Sequence, residues 1–139
     1  MLSFKLLMSL YFKKATEETP LVSFNAEKGV LVIDGNCSLK DPGGFFKEIS
    51  NWISDYSKSP NNSTVLTINL AGINISNSKF LLNIIYQIDE IFKSGFDVKI
   101  RWVFNNDEDG NYELGNDYAE MVTVPFEFIE TIENFVTNI

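Results

Sequence analysis

The stretch that decides the fold is STVLTINLAGINISNSKFLLNIIYQIDEIFKSGFDVKIRWVF, residues 63–104. Its first eight residues are mostly β-branched or apolar, which is typical of a strand covered on both faces. Residues 78–94 repeat apolar side chains at helical spacing, and residues 96–104 alternate as a strand does. A strand, a helix and a second strand in this order form a βαβ unit, so the two strands are predicted to run parallel.

Further elements are predicted on both sides of this unit. Residues 19–25 and 29–35 read as a hairpin, and a helix follows with Asp41 as N-cap and Pro42 in its first turn. Residues 113–122 read as a short helix, residues 124–130 as a last strand, and residues 131–139 as a terminal helix or tail. The order ββαβαβαβ, with or without a C-terminal helix, predicts an α/β fold with a mixed sheet of about five strands and helices packed on it.

The same periodicity predicts which side chains are buried. The expected set is Leu31, Ile33, Phe46, Ile49, Trp52, Ile53, Leu66, Ile68, Leu81, Ile84, Ile85, Ile88, Val98 and Ile100. On the opposite side of the helix over residues 78–94, the pattern places Lys79, Asn83, Gln87 and Glu90.

The N-terminal residues MLSFKLLMSLYFKK, 1–14, contain an apolar run that Lys5 interrupts. Lys13 and Lys14 follow the run, whereas a signal peptide carries its positive charge before it. We therefore expect an N-terminal extension over residues 1–14 and a single domain over residues 15–139. No stretch approaches the length of a membrane span.

Composition excludes several classes of function. The net charge is −8, which argues against nucleic acid as a partner because phosphate binding needs clustered Lys and Arg. There is no histidine, so the usual general base and metal ligand are missing. The single cysteine, Cys37, cannot form a disulfide within the chain, which favours the cytoplasm. We expect neither a cofactor nor an enzymatic activity.

Two hydroxyls stand between the strand over 63–70 and the helix that follows. Ser76 and Ser78 lie where a parallel strand ends, which is where α/β sheets carry their sites. A hydroxyl at a helix start commonly caps the helix by accepting a backbone N–H. It is also a place where a phosphate would be stabilised by the helix dipole, with Lys79 close by. Both interpretations stay open on the residues alone.

The segment NNDEDGN, residues 105–111, has oxygen-bearing side chains like the start of a calcium loop. Its twelfth position is Asn116 instead of a bidentate Glu, and it follows a strand instead of a helix. We therefore predict no metal site. Asp107, Glu108 and Asp109 are expected to form a solvated acidic turn or a docking patch.

Several segments together resemble the SiaC-type regulatory phosphoproteins, which are related in fold to the STAS domains of anti-sigma-factor antagonists. In chain order they are ATEETPLVSFNAEKGVLVIDG (15–35), FFKEISNWISDY (45–56), NISNSKFLL (74–82), GFDVKIRWVF (95–104), LGNDYAE (114–120) and VPFEF (124–128). The resemblance implies a STAS-like, non-enzymatic switch protein that a partner kinase phosphorylates and a partner phosphatase dephosphorylates. It further implies that the unphosphorylated form activates a diguanylate cyclase and so regulates biofilm formation.

This chain departs from the family at the phosphoacceptor. The family's threonine follows an Asn, and here Ile75 follows Asn74. Three readings follow from the resemblance: Ser76, one place along, is the acceptor; Ser78, which falls at the phosphoserine position of STAS domains, is the acceptor; or the protein is a constitutive binder without a switch.

We therefore predict a regulatory protein that binds a protein partner through the end of the strand over 63–70 and the outer face of the next helix. The residues expected to contact the partner are Asn74, Ile75, Asn77, Lys79, Asn83, Asp107, Glu108 and Asp109, with Ser76 and Ser78 as candidate phosphoacceptors. The alternative is a STAS-like domain that binds a small molecule or a lipid in the same crevice.

Overall fold

The computed structural model describes residues 9–105 and 110–131, which form one six-stranded sheet with helices packed on it. The strands are β1 (Leu10–Lys13), β2 (Leu21–Asn25), β3 (Val30–Cys37), β4 (Ser63–Ile73), β5 (Asp97–Asn105) and β6 (Phe126–Thr131), and the helices are α1 (Gly43–Tyr56), α2 (Ile75–Lys93) and α3 (Asn111–Met121). The α/β fold class with a mixed sheet is confirmed.

The strands lie side by side in chain order. β2 pairs antiparallel with β1 and β3, whereas β3, β4, β5 and β6 run parallel. The predicted hairpin and the parallel βαβ unit are both confirmed. Because each helix connects neighbouring parallel strands, right-handed crossovers place all three on one face of the sheet.

The sheet has six strands instead of about five, and the additional strand is β1. It lies within residues 1–14, the predicted extension, whose boundary with the domain stays a prediction. Tyr11 packs its ring on Phe24 at 5.9 Å, and Lys13 forms an ion pair with Glu48 at 3.2 Å. These contacts hold β1 against the sheet and α1, and an isolated four-residue pattern could not have revealed them.

The core lies between the helices and one face of the sheet. The predicted buried residues are buried, except that Trp52 is only partly buried. Trp52 instead lies at the edge of the core, where its ring stacks on Tyr56 at 5.2 Å. No helix within the described ranges is long and apolar enough to cross a bilayer.

Three boundaries differ from the prediction in ways that matter for the site. β4 continues to Ile73, and α2 begins at Ile75 instead of residue 78, so residues 75–77 belong to the helix. At α1, Pro42 occupies the N-cap without a side-chain hydrogen bond, so the prediction that Asp41 caps this helix is wrong. Residues 132–139, most of the predicted C-terminal helix or tail, lie outside the described residues.

Candidate functional site

The candidate site lies where the parallel strands β3 and β4 end side by side. Cys37 and Ile73, the last residues of the two strands, are paired in register. The chain turns into α2 at Asn74, whose N–H donates to the carbonyl of Cys37 at 3.4 Å. Residues 74–79 therefore lie together at the C-terminal edge of the sheet, as expected for a parallel α/β unit, and we call this surface the rim.

Asn74 is the N-cap of α2. Its Oδ1 accepts the backbone N–H of Asn77 at 3.0 Å, and its carbonyl accepts the N–H of Ser78 at 3.0 Å. The expectation that Ser76 or Ser78 caps the helix is wrong, because the helix begins earlier and an asparagine supplies the capping oxygen. Both serine hydroxyls are thus free from the capping role.

The two serines differ in their surroundings. Ser76 is exposed, and its hydroxyl donates to Asn74 Oδ1 at 3.1 Å. Ser78 is half-buried, its hydroxyl donates to the carbonyl of Ile75 at 2.7 Å, and its own carbonyl accepts the Tyr118 hydroxyl at 2.7 Å. Burial raises the pKa of Tyr118 to about 12, so the phenol stays protonated and keeps donating near neutral pH. Ser76 is therefore the more accessible of the two hydroxyls.

Of the residues expected to contact a partner, several are exposed on the rim. Ile75 exposes 79% of its surface, which is unusual for an isoleucine, and Asn74, Lys79 and Asn83 are exposed as well. The rim therefore presents one large apolar side chain surrounded by polar groups and a lysine.

Asn77 differs from Asn74, Ile75, Lys79 and Asn83 because it is fully buried. Its Nδ2 donates to the carbonyl of Leu39 at 2.8 Å, and its Oδ1 accepts the N–H of Leu39 at 3.2 Å. The Cys37 thiol also points to this Oδ1 at 3.5 Å, and burial raises the thiol pKa to about 11. Asn77 thus holds the rim in place instead of presenting a surface to a partner.

The acidic residues Asp107, Glu108 and Asp109 lie outside the described residues, so their expected role stays a prediction. The segment is bounded by Asn105, the end of β5, and by Asn111. Asn111 is buried, and its Nδ2 donates to the carbonyl of Leu70 in β4 at 2.8 Å. Among residues 9–105 and 110–131, no three His, Cys, Asp or Glu side chains group in a way that could hold a metal ion.

Gln87 was expected on the outer face of α2, but it is half-buried between the helices. Its Nε2 donates to the carbonyl of Ser50 in α1 at 3.1 Å. Its Oε1 is buried and has no hydrogen-bond partner among residues 9–105 and 110–131. The helical periodicity predicted an exposed Gln87 because its side chain is polar. In the structure α1 packs against α2 at this position and covers it.

The roles of Asn77 and Asp89 in α2 were not predicted from the sequence. Both fall on the apolar stripe, four residues before Leu81 and four after Ile85, so their positions were the available signal. A polar residue on a buried stripe has to form hydrogen bonds there. Asp89 is 3% exposed, and its Oδ1 accepts the N–H of Val124 at 2.8 Å.

Comparison with known proteins agrees with this architecture. A family model described as "SiaC family regulatory phosphoprotein" matches residues 13–131. An uncharacterized protein of Pseudomonas aeruginosa strain UCBPP-PA14 is 22% identical over 111 residues, covering 80% of this chain and 88% of that protein.

Two solved structures share the fold. SiaC of Pseudomonas aeruginosa superposes with a TM-score of 0.80 at 20% identity, covering 88% of this chain and 99% of SiaC. A crystal structure of the diguanylate cyclase SiaD in complex with its activator SiaC, from the same organism, matches with a TM-score of 0.81 at 20% identity, covering 87% of this chain and 99% of that chain. Because the family model spans most of the sequence, the chain belongs to the SiaC family of regulatory phosphoproteins.

Proposed function

We propose that this chain is a non-enzymatic switch protein that binds and activates a diguanylate cyclase and is controlled by phosphorylation of Ser76. The observation that carries the proposal is the exposed Ser76 hydroxyl in the first turn of α2, in a member of a regulatory phosphoprotein family. The relative SiaC is described as the activator of a diguanylate cyclase, which supports the choice of partner.

The local geometry supports Ser76 over Ser78 as acceptor. A kinase has to bring its phosphoryl donor to the attacking hydroxyl, and Ser76 is exposed. The Ser78 hydroxyl donates to the Ile75 carbonyl at 2.7 Å, and Tyr118 holds the Ser78 backbone from the other side. Phosphorylation of either serine would remove the hydrogen bond that its hydroxyl donates, but at Ser78 it would also crowd the contact with Tyr118.

A phosphate on Ser76 would change the rim without unfolding it. The first N–H groups of a helix have no partner within the helix, and the positive end of the helix dipole favours an anion there. Lys79 follows one turn later and has an exposed side chain. The modification adds about −2 of charge, enough to change the affinity for a charged partner.

The constitutive-binder reading has one observation in its favour. Ile75 replaces the family's acceptor and is 79% exposed, and a large apolar side chain so exposed on a rim suits burial against a protein. The polar residues between β4 and α2 do not support the small-molecule or lipid alternative. Asn74, Ser76 and Asn77 bond to one another instead of converging on an open cavity.

The proposal includes a kinase and a phosphatase that act on Ser76, and a cytoplasmic location, which rests on the single cysteine. The test of the function is a titration of the unphosphorylated protein into each purified diguanylate cyclase of the same organism, with GTP consumption as readout. We expect at least one cyclase to be activated with saturable, stoichiometric dependence. If no cyclase of that organism changes its rate, the proposed function is wrong.

A further inference from the structure

A groove lies between the first two turns of α1 and the second and third turns of α2, next to the rim. Its volume is about 340 Å³ and it opens to solvent. The residues that line it are Gly43, Phe46, Lys47, Ser50, Phe80, Asn83 and Ile84. The rings of Phe46 and Phe80 stack at 5.6 Å and form an apolar floor between the two helices.

One lysine lines this groove, and two more lie close to its lining residues in the chain. Lys47 lines it, Lys79 directly precedes Phe80, and Lys40 follows Leu39, the residue that Asn77 holds. All three lysines are exposed, and within the described parts of the chain none of them forms an ion pair. Of the other basic residues in the described ranges, Lys13, Lys58, Lys93, Lys99 and Arg101 each bind a carboxylate, whereas the exposed Lys14 and Lys28 do not.

Carboxylates are scarce at this position although the chain carries a net charge of −8. Residues 38–47 contain only Asp41, and residues 75–88 contain no Asp or Glu. Glu48 is the next acid along α1, and it is already bound to Lys13 at 3.2 Å and to the Tyr11 hydroxyl at 3.1 Å. Asp41 lies beside Gly43, one of the lining residues, so Lys47 and Lys79 outnumber the one carboxylate placed at this groove. This local excess of positive charge on an acidic protein suits an acidic ligand.

We infer that this groove docks an amphipathic helical segment of the partner, with an apolar side chain over Phe46 and Phe80 and acidic residues facing Lys47 and Lys79. The inference rests on the proposed function and specifies the chemistry of the partner's contact surface. An apolar floor with a charged border is the form that receives a helix through spaced apolar anchors. Because Lys47 and Lys79 form no ion pair with any described residue, they are available to attract an acidic segment.

The position of Ser76 links this groove to the switch. Ser76, Lys79 and Asn83 are spaced three and four residues apart, so they lie along one side of α2. A phosphate on Ser76 would neutralise Lys79 and repel the acidic segment, so one modification would act on the docking groove directly.

The test uses a synthetic helical peptide with Leu and Phe along one side and Glu along the other, and a matched peptide with Lys at every Glu. Each is titrated into the ¹⁵N-labelled full chain and followed by NMR. We expect the acidic peptide to shift the amides of Phe46, Lys47, Phe80 and Asn83, and the basic peptide to leave them unchanged. Shifts on another face, equal effects of both peptides, or none in the groove would overturn the inference.

A charge-reversal pair adds a quantitative control. The double variant Lys47→Glu/Lys79→Glu should weaken acidic-peptide binding at least about tenfold, since two attractive contacts become repulsive. The matched control is Lys28→Glu/Lys58→Glu, which changes the net charge by the same amount at two exposed lysines outside the groove, one in the β2–β3 turn and one just after α1. It should change the affinity by less than about twofold. Equal loss in both variants would mean that only net charge matters and would contradict the groove.

The two proposals fail separately. If a diguanylate cyclase is activated equally by wild type and by Lys47→Glu/Lys79→Glu, the groove is wrong and the proposed function stands. If the acidic peptide maps to the groove but no cyclase responds, the groove stands and the proposed function is wrong.

Discussion

Asn77 in α2 binds both backbone groups of Leu39 in the loop between β3 and α1. Its Nδ2 donates to the Leu39 carbonyl at 2.8 Å, and its Oδ1 accepts the Leu39 N–H at 3.2 Å. One fully buried amide thus joins the start of the helix that carries Ser76 to the loop that precedes α1. This contact fixes the positions of α1 and α2, the two helices that line the docking groove, relative to each other.

Removing this amide should destabilise the fold. We expect Asn77→Ala to lower the free energy of unfolding by about 2–3 kcal/mol, because two backbone groups of Leu39 lose their partners in a buried place. Urea denaturation measures the loss. Asn83→Ala, an exposed asparagine on the same helix, serves as control and should change stability by less than about 0.5 kcal/mol. Equal effects of the two variants would contradict the positioning role of Asn77.

The core prediction compares two isoleucines of α2. Ile85 is fully buried, so Ile85→Ala should cost about 2–5 kcal/mol through lost transfer free energy and the cavity left behind. Ile75 is 79% exposed, so Ile75→Ala should leave the unfolding free energy within about 0.5 kcal/mol of wild type. Denaturant melts decide, and a loss below 1 kcal/mol for Ile85→Ala, on the order of a surface change, would mean that the helix faces are assigned wrongly.

Asp89 should make the free energy of unfolding depend on pH in the acidic range. Burial raises its pKa, but hydrogen bonds from Val124 and Thr123 and the ion pair with Lys93 outweigh burial and hold the pKa below its usual value. A carboxyl with a depressed folded-state pKa contributes stability above its unfolded pKa, about 3.9, and loses it as the pH falls through the folded pKa.

Asp89→Asn tests this directly, because an amide oxygen can still accept from Val124 and Thr123 but carries no charge. At pH 7 we expect it to cost about 1–2 kcal/mol, and this difference from wild type should shrink below about pH 4. Asp89→Ala, which also removes the acceptor, should cost more at every pH. Urea melts across this range measure both, and a constant difference between wild type and Asp89→Asn would show that the charge is unimportant.

Much of the fold could be predicted from the sequence because the unit over residues 63–104 has a strong pattern. The β-branched residues of its strands and their order with the helix between them predicted parallel pairing. The continuous apolar stripe of that helix predicted that it packs on the sheet. β1 was missed because its stability comes from long-range contacts, the packing of Tyr11 on Phe24 and the pair between Lys13 and Glu48.

At the site, the sequence located the rim but not the roles within it. Serines and asparagines both cap helices well, so composition could not tell Asn74 from Ser76. Asn74 is the capping residue because of where β4 ends, since the end of this strand determines where α2 begins. The burial of Asn77 follows from the loop around Leu39, which approaches α2 only in the folded chain.

The measurement that tests the central claim most directly is phosphopeptide mass spectrometry of wild type, Ser76→Ala and Ser78→Ala, each expressed in and purified from the native host. Trypsin cleaves after Lys58 and Lys79, so both serines fall in one peptide, and fragment ions and the variants together assign the site. The account predicts a phosphate on Ser76 in wild type and in Ser78→Ala, and none in this peptide from Ser76→Ala. A phosphate that persists in Ser76→Ala, or an unmodified peptide in all three proteins under conditions in which the host's kinases are active, would contradict it.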